Sequence, residues 1–105
     1  MRFVETPVFT ARLRAHLDDE RYRALQLALA LRPEQGALIP GTHGLRKLRW
    51  AAEGRGKRGG LRLIYFWAPA SEVLYMLYLY AKNEQGDLTP TQTRQLAALV
   101  REEFR

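Results

Sequence analysis

The spacing of apolar and polar residues changes several times along the chain, and each change marks an element. "RFVE" (2–5) alternates and predicts a short first strand. Thr6 supplies a helix N-cap, with Pro7 at the first helical position, where its missing N–H costs nothing. Val8, Leu13 and Leu17 predict the apolar side of that helix. Asp18 and Asp19 break it and cap a second helix, in which Tyr22, Leu25, Gln26 and Leu29 keep helical spacing up to Leu31. Pro33 and Gly36 end it, and "RPEQGALIPGTHG" reads as a turn-rich connection. Residues 45–51 alternate as a strand, with Leu48 and Trp50 on one face and Lys47 and Arg49 on the other. The stretch "GRGKRGG" (54–60) separates it from a strand over 61–68, and "PASE" turns the chain back into a partner strand over 73–82. Both of these strands are apolar on both faces, which predicts central places in the sheet with cover on each side. "TPTQ" is a capping box, with Thr89 at the cap and Gln92 reaching back, and Leu96, Leu99, Val100 and Phe104 stripe the final helix.

The resulting order is β-α-α-β-β-β-α. It describes an α+β fold, a small, mostly antiparallel sheet with two N-terminal helices and a C-terminal helix. A length of 105 residues predicts a single domain over 1–105. The chain has no cysteine, which removes disulfides, thiolate nucleophiles and cysteine metal sites and fits a reducing cytosol. The N-terminal "MRFVETPVF" lacks the apolar core of a secretion signal, and the longest apolar run, "VLYMLYLYA", is strand-sized. A cytoplasmic protein with no membrane partner is the expectation.

Charge sharpens the picture. The net charge is +6, and residues 45–62 carry seven cations against the single Glu53, while the rest of the chain is balanced. The whole excess therefore sits in one short segment, as expected for a polyanion partner. The glycines of "GRGKRGG" allow close backbone approach to phosphates, and Lys57 and Arg58 add charge. It is no Walker A loop, because the spacing and the following Ser or Thr are missing and a strand follows it. The bland alternative is a solvated hairpin loop.

Arg62 shares a strand face with Ile64 and Phe66, so it either snorkels at the rim, paired with Glu53 or Glu84, or lines a cleft. Lys82 ends the partner strand at about the same distance from the "PASE" turn, which predicts that the two cations are neighbours. His16 and His43 have no cysteine or further histidine to join them, and the only serine, Ser71, sits in a turn. A metal site and a serine triad are both poorly supported, and no cofactor is expected. Tyr65, Tyr75, Tyr78 and Tyr80 could stack bases, although at strand spacing such residues usually fill a core.

"GLRKLRWAAEGRGKRGGLRLIYFW", the aromatic strand after it and "YAKNEQGDLTPTQTRQL" together resemble the RelE superfamily of toxins from type II toxin–antitoxin modules, nearest to its HigB-like branch. The resemblance covers nearly the whole chain. It implies a ribosome-dependent mRNA endonuclease that enters the ribosomal A site and cuts mRNA by metal-independent attack of a ribose 2′-OH on the adjacent phosphate. It also implies a cognate antitoxin, commonly one with a helix-turn-helix DNA-binding domain.

Carried over by residue, Arg62 matches the strand arginine at the scissile phosphate and Lys82 the cation ending the next strand. Lys57 and Arg58 match the basic loop that adds phosphate contacts and a candidate general base. Further candidate RNA contacts are Arg46, Lys47, Arg49 and Arg55, with Tyr80 and Asn83 flanking Lys82. Relatives that use a late tyrosine or histidine have no counterpart here, since residues 83–105 contain neither, and the general base stays open. Two other classes remain: an RNA- or ribosome-binding module that does not cut, and an interaction subunit whose basic patch receives an acidic antitoxin segment.

Overall fold

The computed structural model describes residues 1–51 and 60–104. The candidates Arg55, Lys57 and Arg58, and the side chain of Phe104, lie outside the described residues. The elements are β1 (Arg2–Glu5), α1 (Pro7–His16), α2 (Asp19–Leu31), β2 (Ala37–Leu38), β3 (Leu45–Trp50), β4 (Leu61–Ala68), β5 (Val73–Ala81) and α3 (Pro90–Leu99), the last continued by a wider turn over Val100–Phe104. They form an α+β fold with one mixed five-stranded sheet in the order β1-β5-β4-β3-β2. β1 pairs with β5 in parallel, and the other pairings are antiparallel.

The helix ends follow from local chemistry. The hydroxyl of Thr6 accepts the Phe9 N–H with Pro7 beginning α1, and Asp18 accepts the Arg21 N–H at the start of α2. At α3 both halves of the capping box form, between Thr89 and Gln92. The short strand β2 sits inside the stretch that reads as a connection. With only two residues it is invisible to alternation, and its pairing with Arg46 and Lys47 creates it.

β4 and β5 are central, as their double-sided apolarity predicts. One face packs under α1 and α2, where Phe9, Leu13, Leu25 and Leu29 meet Leu63, Tyr65, Met76 and Leu79. Phe9 rather than Val8 fills this core, and Val8 is 47% exposed. The other face packs under α3, where Ala97 and Val100 meet Leu45, Ile64, Phe66, Leu77 and Tyr80. The pairing of β4 with β5 slips between Ile64 and Tyr65, so Leu77 is an extra residue on β5. Leu77 and Tyr78 consequently both serve the α3 face, and the bulge sets Tyr80 on that face too.

Beyond the bulge β1 no longer flanks β5, and side chains take over the backbone groups along that edge. The Thr6 hydroxyl donates to Leu77 O at 2.8 Å, Arg12 Nε donates to Leu79 O, and the Ala81 N–H donates to Glu84 Oε1 at 2.9 Å. Glu84 Oε1 also meets Arg12 Nη2 at 2.9 Å and His16 Nε2 at 3.0 Å, so one carboxylate ties α1 to the end of β5. Tyr65 fixes the connection after α2, since its hydroxyl donates to Pro33 O at 2.7 Å and accepts the Gly36 N–H at 2.9 Å. A Cβ on Gly36 would stand 2.8 Å from the Tyr65 ring, which is why a glycine occupies that position. Among the described residues no helix is long and apolar enough to cross a membrane.

Candidate nucleic-acid interface

Cross-strand register assembles the candidate residues. On the α3 face Arg49 of β3 lies directly opposite Arg62 of β4, and Arg62 lies opposite Tyr80 of β5. One step along, Lys47 lies opposite Ile64, which lies opposite Tyr78. Lys47 and Arg49 thus share a face, as alternation predicts. Directly opposed residues have Cβ atoms about 4.5–5.5 Å apart, and like charges there destabilise a sheet.

Arg62 does not snorkel at the rim. It is 4% exposed, and its Nη1 donates to Leu61 O at 3.3 Å. Glu84 is engaged by Arg12 and His16 on the α1 side instead. The immediate cross-strand neighbour of Arg62 is Tyr80 rather than Lys82. Lys82 stands just past the end of β5, where its N–H donates to Gly60 O at 3.1 Å. Lys82 and Asn83 are exposed in the turn that follows. Arg49 is exposed too and makes no ion pair among the described residues. Trp50 pairs with Leu61 at this same end of the sheet.

Arg46 is set apart from the others. It lies opposite Tyr65 on the helical-pair face, where its Nη1 donates to Glu34 O at 2.9 Å and Gly36 O at 2.7 Å. Its Nη2 stands 3.6 Å from a Glu34 carboxylate oxygen. Those bonds give it a structural task, fastening the connection before β2 to β3. Tyr80 is fully buried, which closes its ring to base stacking in this conformation. Of the other tyrosines Tyr65 is also fully buried, and Tyr75 and Tyr78 pack half-buried beside the α3-face core.

One residue that the sequence reading passed over joins the site. Asp87, in the turn before α3, accepts the Leu88 N–H at 2.8 Å and meets Lys47 Nζ at 3.1 Å. The Leu88 bond, helped by Lys47, holds its carboxyl below the usual carboxylate range, so it is ionised at neutral pH. Burial pushes the Tyr80 phenol up to about 12, and the Asp87 charge adds to that push while Arg62 opposes it. The Tyr80 hydroxyl stays neutral; no hydrogen bond of ordinary geometry satisfies it, and the Asp87 carboxylate is close enough to act on it. The only signal for Asp87 in the sequence is an acid in the turn before a capping box, which by itself reads as ordinary turn chemistry.

The arrangement places a surface guanidinium, a desolvated guanidinium and a surface ammonium at one end of one sheet face. Cations so placed suit an anion such as phosphate, and a desolvated one attracts it more strongly than the same charge in water. No family model matches the chain.

Proposed function

We propose that this protein is a RelE-like toxin, a ribosome-dependent mRNA endonuclease held in check by a cognate antitoxin. The observation that carries the reading is the opposition of Arg49 and Arg62 on one sheet face, with Lys82 at the adjoining end of β5. Two opposed cations raise the energy of the empty site, and a phosphate drawn between them lowers it.

In the reaction, the ribose 2′-oxygen forms a bond to the adjacent phosphorus and the bond to the 5′-oxygen breaks. The products are a 2′,3′-cyclic phosphate and a 5′-OH. The 2′-OH proton passes to a base, and the leaving 5′-oxygen takes up a proton. Positive groups aimed at the charge gathering on phosphorus stabilise that transition state, and the planar fork of Arg62 suits two of its oxygens. Lys82 and Lys57 are the candidates for proton transfer, with Arg49, Lys47, Arg55, Arg58 and Asn83 holding the RNA strand. No metal takes part in this scheme. The partner antitoxin, of the helix-turn-helix type by resemblance, silences the site by covering the basic segment with an acidic or obstructive surface.

A second reading is favoured by the burial of Arg62: a module that docks on RNA or the ribosome through Arg49, Lys82 and Asn83 without cutting. Mapping product ends on translating ribosomes separates the two. The endonuclease reading expects new 5′-OH ends that vanish when translation initiation is blocked. Binding without new ends sinks it in favour of the module.

A further inference from the structure

A cleft of about 230 Å³ lies beside the cationic row, walled by Leu38, Ile39, Pro40 and Leu88, with Lys47 and Asp87 as its charged groups. It is smaller than the pockets of about 300 Å³ and above that take drug-sized ligands, and it suits one heterocycle. Lys47 and Arg49 point the same way two residues apart, about 7 Å along β3. A nucleotide with its phosphate at Arg49 can therefore bring its base to Lys47 and Asp87.

Asp87 has acceptor capacity to spare. Leu88 and Lys47 both bond Oδ1, and neither uses Oδ2. Beside it the buried Tyr80 hydroxyl has no hydrogen-bond partner, a second polar group in want of one. The Lys47–Asp87 pair is a surface pair, with side chains 32% and 69% exposed, so exchanging it for a ligand costs little.

We propose that this cleft is a nucleobase subsite selective for guanine, a proposal that rests on reading the cationic row as an RNA backbone site. A carboxylate offers acceptors and no donor. Guanine presents two adjacent donors on its Watson–Crick edge, N1–H and the N2 amino group, with O6 next to them. The carboxylate takes both donors in the forked geometry that makes such pairs strong, and the Lys47 ammonium turns from Asp87 to O6. Adenine and cytosine each set a ring-nitrogen lone pair beside their amino group, and uracil flanks its one donor with two carbonyls. Each of these turns a lone pair toward the carboxylate. Unstacked single-stranded bases are commonly read on this edge, and the apolar walls hold the ring faces.

The test titrates the 105-residue chain with the 3′-monophosphates of guanosine, adenosine, cytidine and uridine, and with inorganic phosphate, followed by amide chemical shifts at Lys47 and Leu88. Guanosine monophosphate is expected to bind on the order of tenfold tighter than the other three, the discrimination one bidentate base contact gives. Asp87→Asn keeps an oxygen for the Leu88 N–H, so the fold is preserved, and it should erase the guanine preference without weakening phosphate binding, since it removes an anion that pairs with Lys47. Lys47→Met should weaken the guanine complex most. Equal affinity for all four nucleotides, or a preference that survives Asp87→Asn, overturns the proposal. Because the readout is binding, failure to cut mRNA would sink the endonuclease reading and leave this result standing.

Discussion

Replacing Arg62 with alanine tells a catalyst from a binder. In the endonuclease reading its share of ground-state attraction is small, since it is one cation among several. Its share of transition-state stabilisation is large, about 2.7–4 kcal/mol by analogy with a lost oxyanion donor. Single-turnover cleavage of ribosome-bound mRNA should therefore slow by roughly a hundred- to thousand-fold, with affinity nearly kept. Arg62→Lys should recover only part, because an ammonium lacks the fork. A rate that falls only in step with binding assigns Arg62 to docking. Tyr80 tests the same row through stability. Its buried hydroxyl has no hydrogen-bond partner, and stranding such a group costs about 1–3 kcal/mol. Tyr80→Phe should hold or raise the urea midpoint. The phenol is raised to about 12 when folded, so stability from this group is complete below about 10 and drains away as pH climbs from there. The phenylalanine variant should lose less stability between pH 9 and 11. A variant less stable by about 1 kcal/mol at pH 7 would mean that the hydroxyl is hydrogen-bonded after all.

Among the elements, the tie between α1 and β5 depends on one carboxylate. The Ala81 N–H, then His16 and Arg12, hold Glu84 below the usual carboxylate range. A depressed carboxylate stabilises the fold above its unfolded value of about 4.3, and that contribution is lost as pH falls through the folded value. Glu84→Gln should lower the urea midpoint at pH 7 and flatten its fall between pH 5 and 3. An unchanged acid limb shows that other carboxylates set it. Much of this level was legible beforehand: the caps at Thr6, Asp18 and Thr89, the full extent of β4 and the double cover of the central strands all follow from residue spacing. Features that depend on tertiary partners were not. β2 exists through β3, Phe9 displaces Val8 because the sheet lies on its side of α1, and the extra residue at Leu77 leaves no mark in a run that is apolar on both faces. The bulge puts Tyr80, rather than Leu79, opposite Arg62, and Lys82 stands two residues further on, past the end of β5. The Arg49–Arg62 row is different again: alternation put Lys47 and Arg49 on one face, but only register could say what faced them.

For the whole molecule, the net charge of +6 sits in residues 45–62, and in the RNA-binding reading it should make association strongly salt-dependent. Each phosphate contact on a single strand contributes about 0.7 to the slope of log affinity against log salt. Arg49→Ala and Lys82→Ala should each flatten the slope by about that amount, and the double variant by about twice as much, measured by filter binding from low to moderate salt. A slope unmoved by both variants takes these exposed cations out of the interface.

The far side of the sheet has a different character. Thr6, Arg12 and Glu84 occupy Leu77 O, Leu79 O and the Ala81 N–H along the edge that β1 leaves uncovered. An incoming strand would find those positions already taken, so this flank offers no template for ladder pairing with a partner or with another copy of the chain. Whatever recognises the molecule from that side must read side chains. A variant without Arg12 would reopen Leu79 O and invite edge-to-edge self-association that grows with protein concentration.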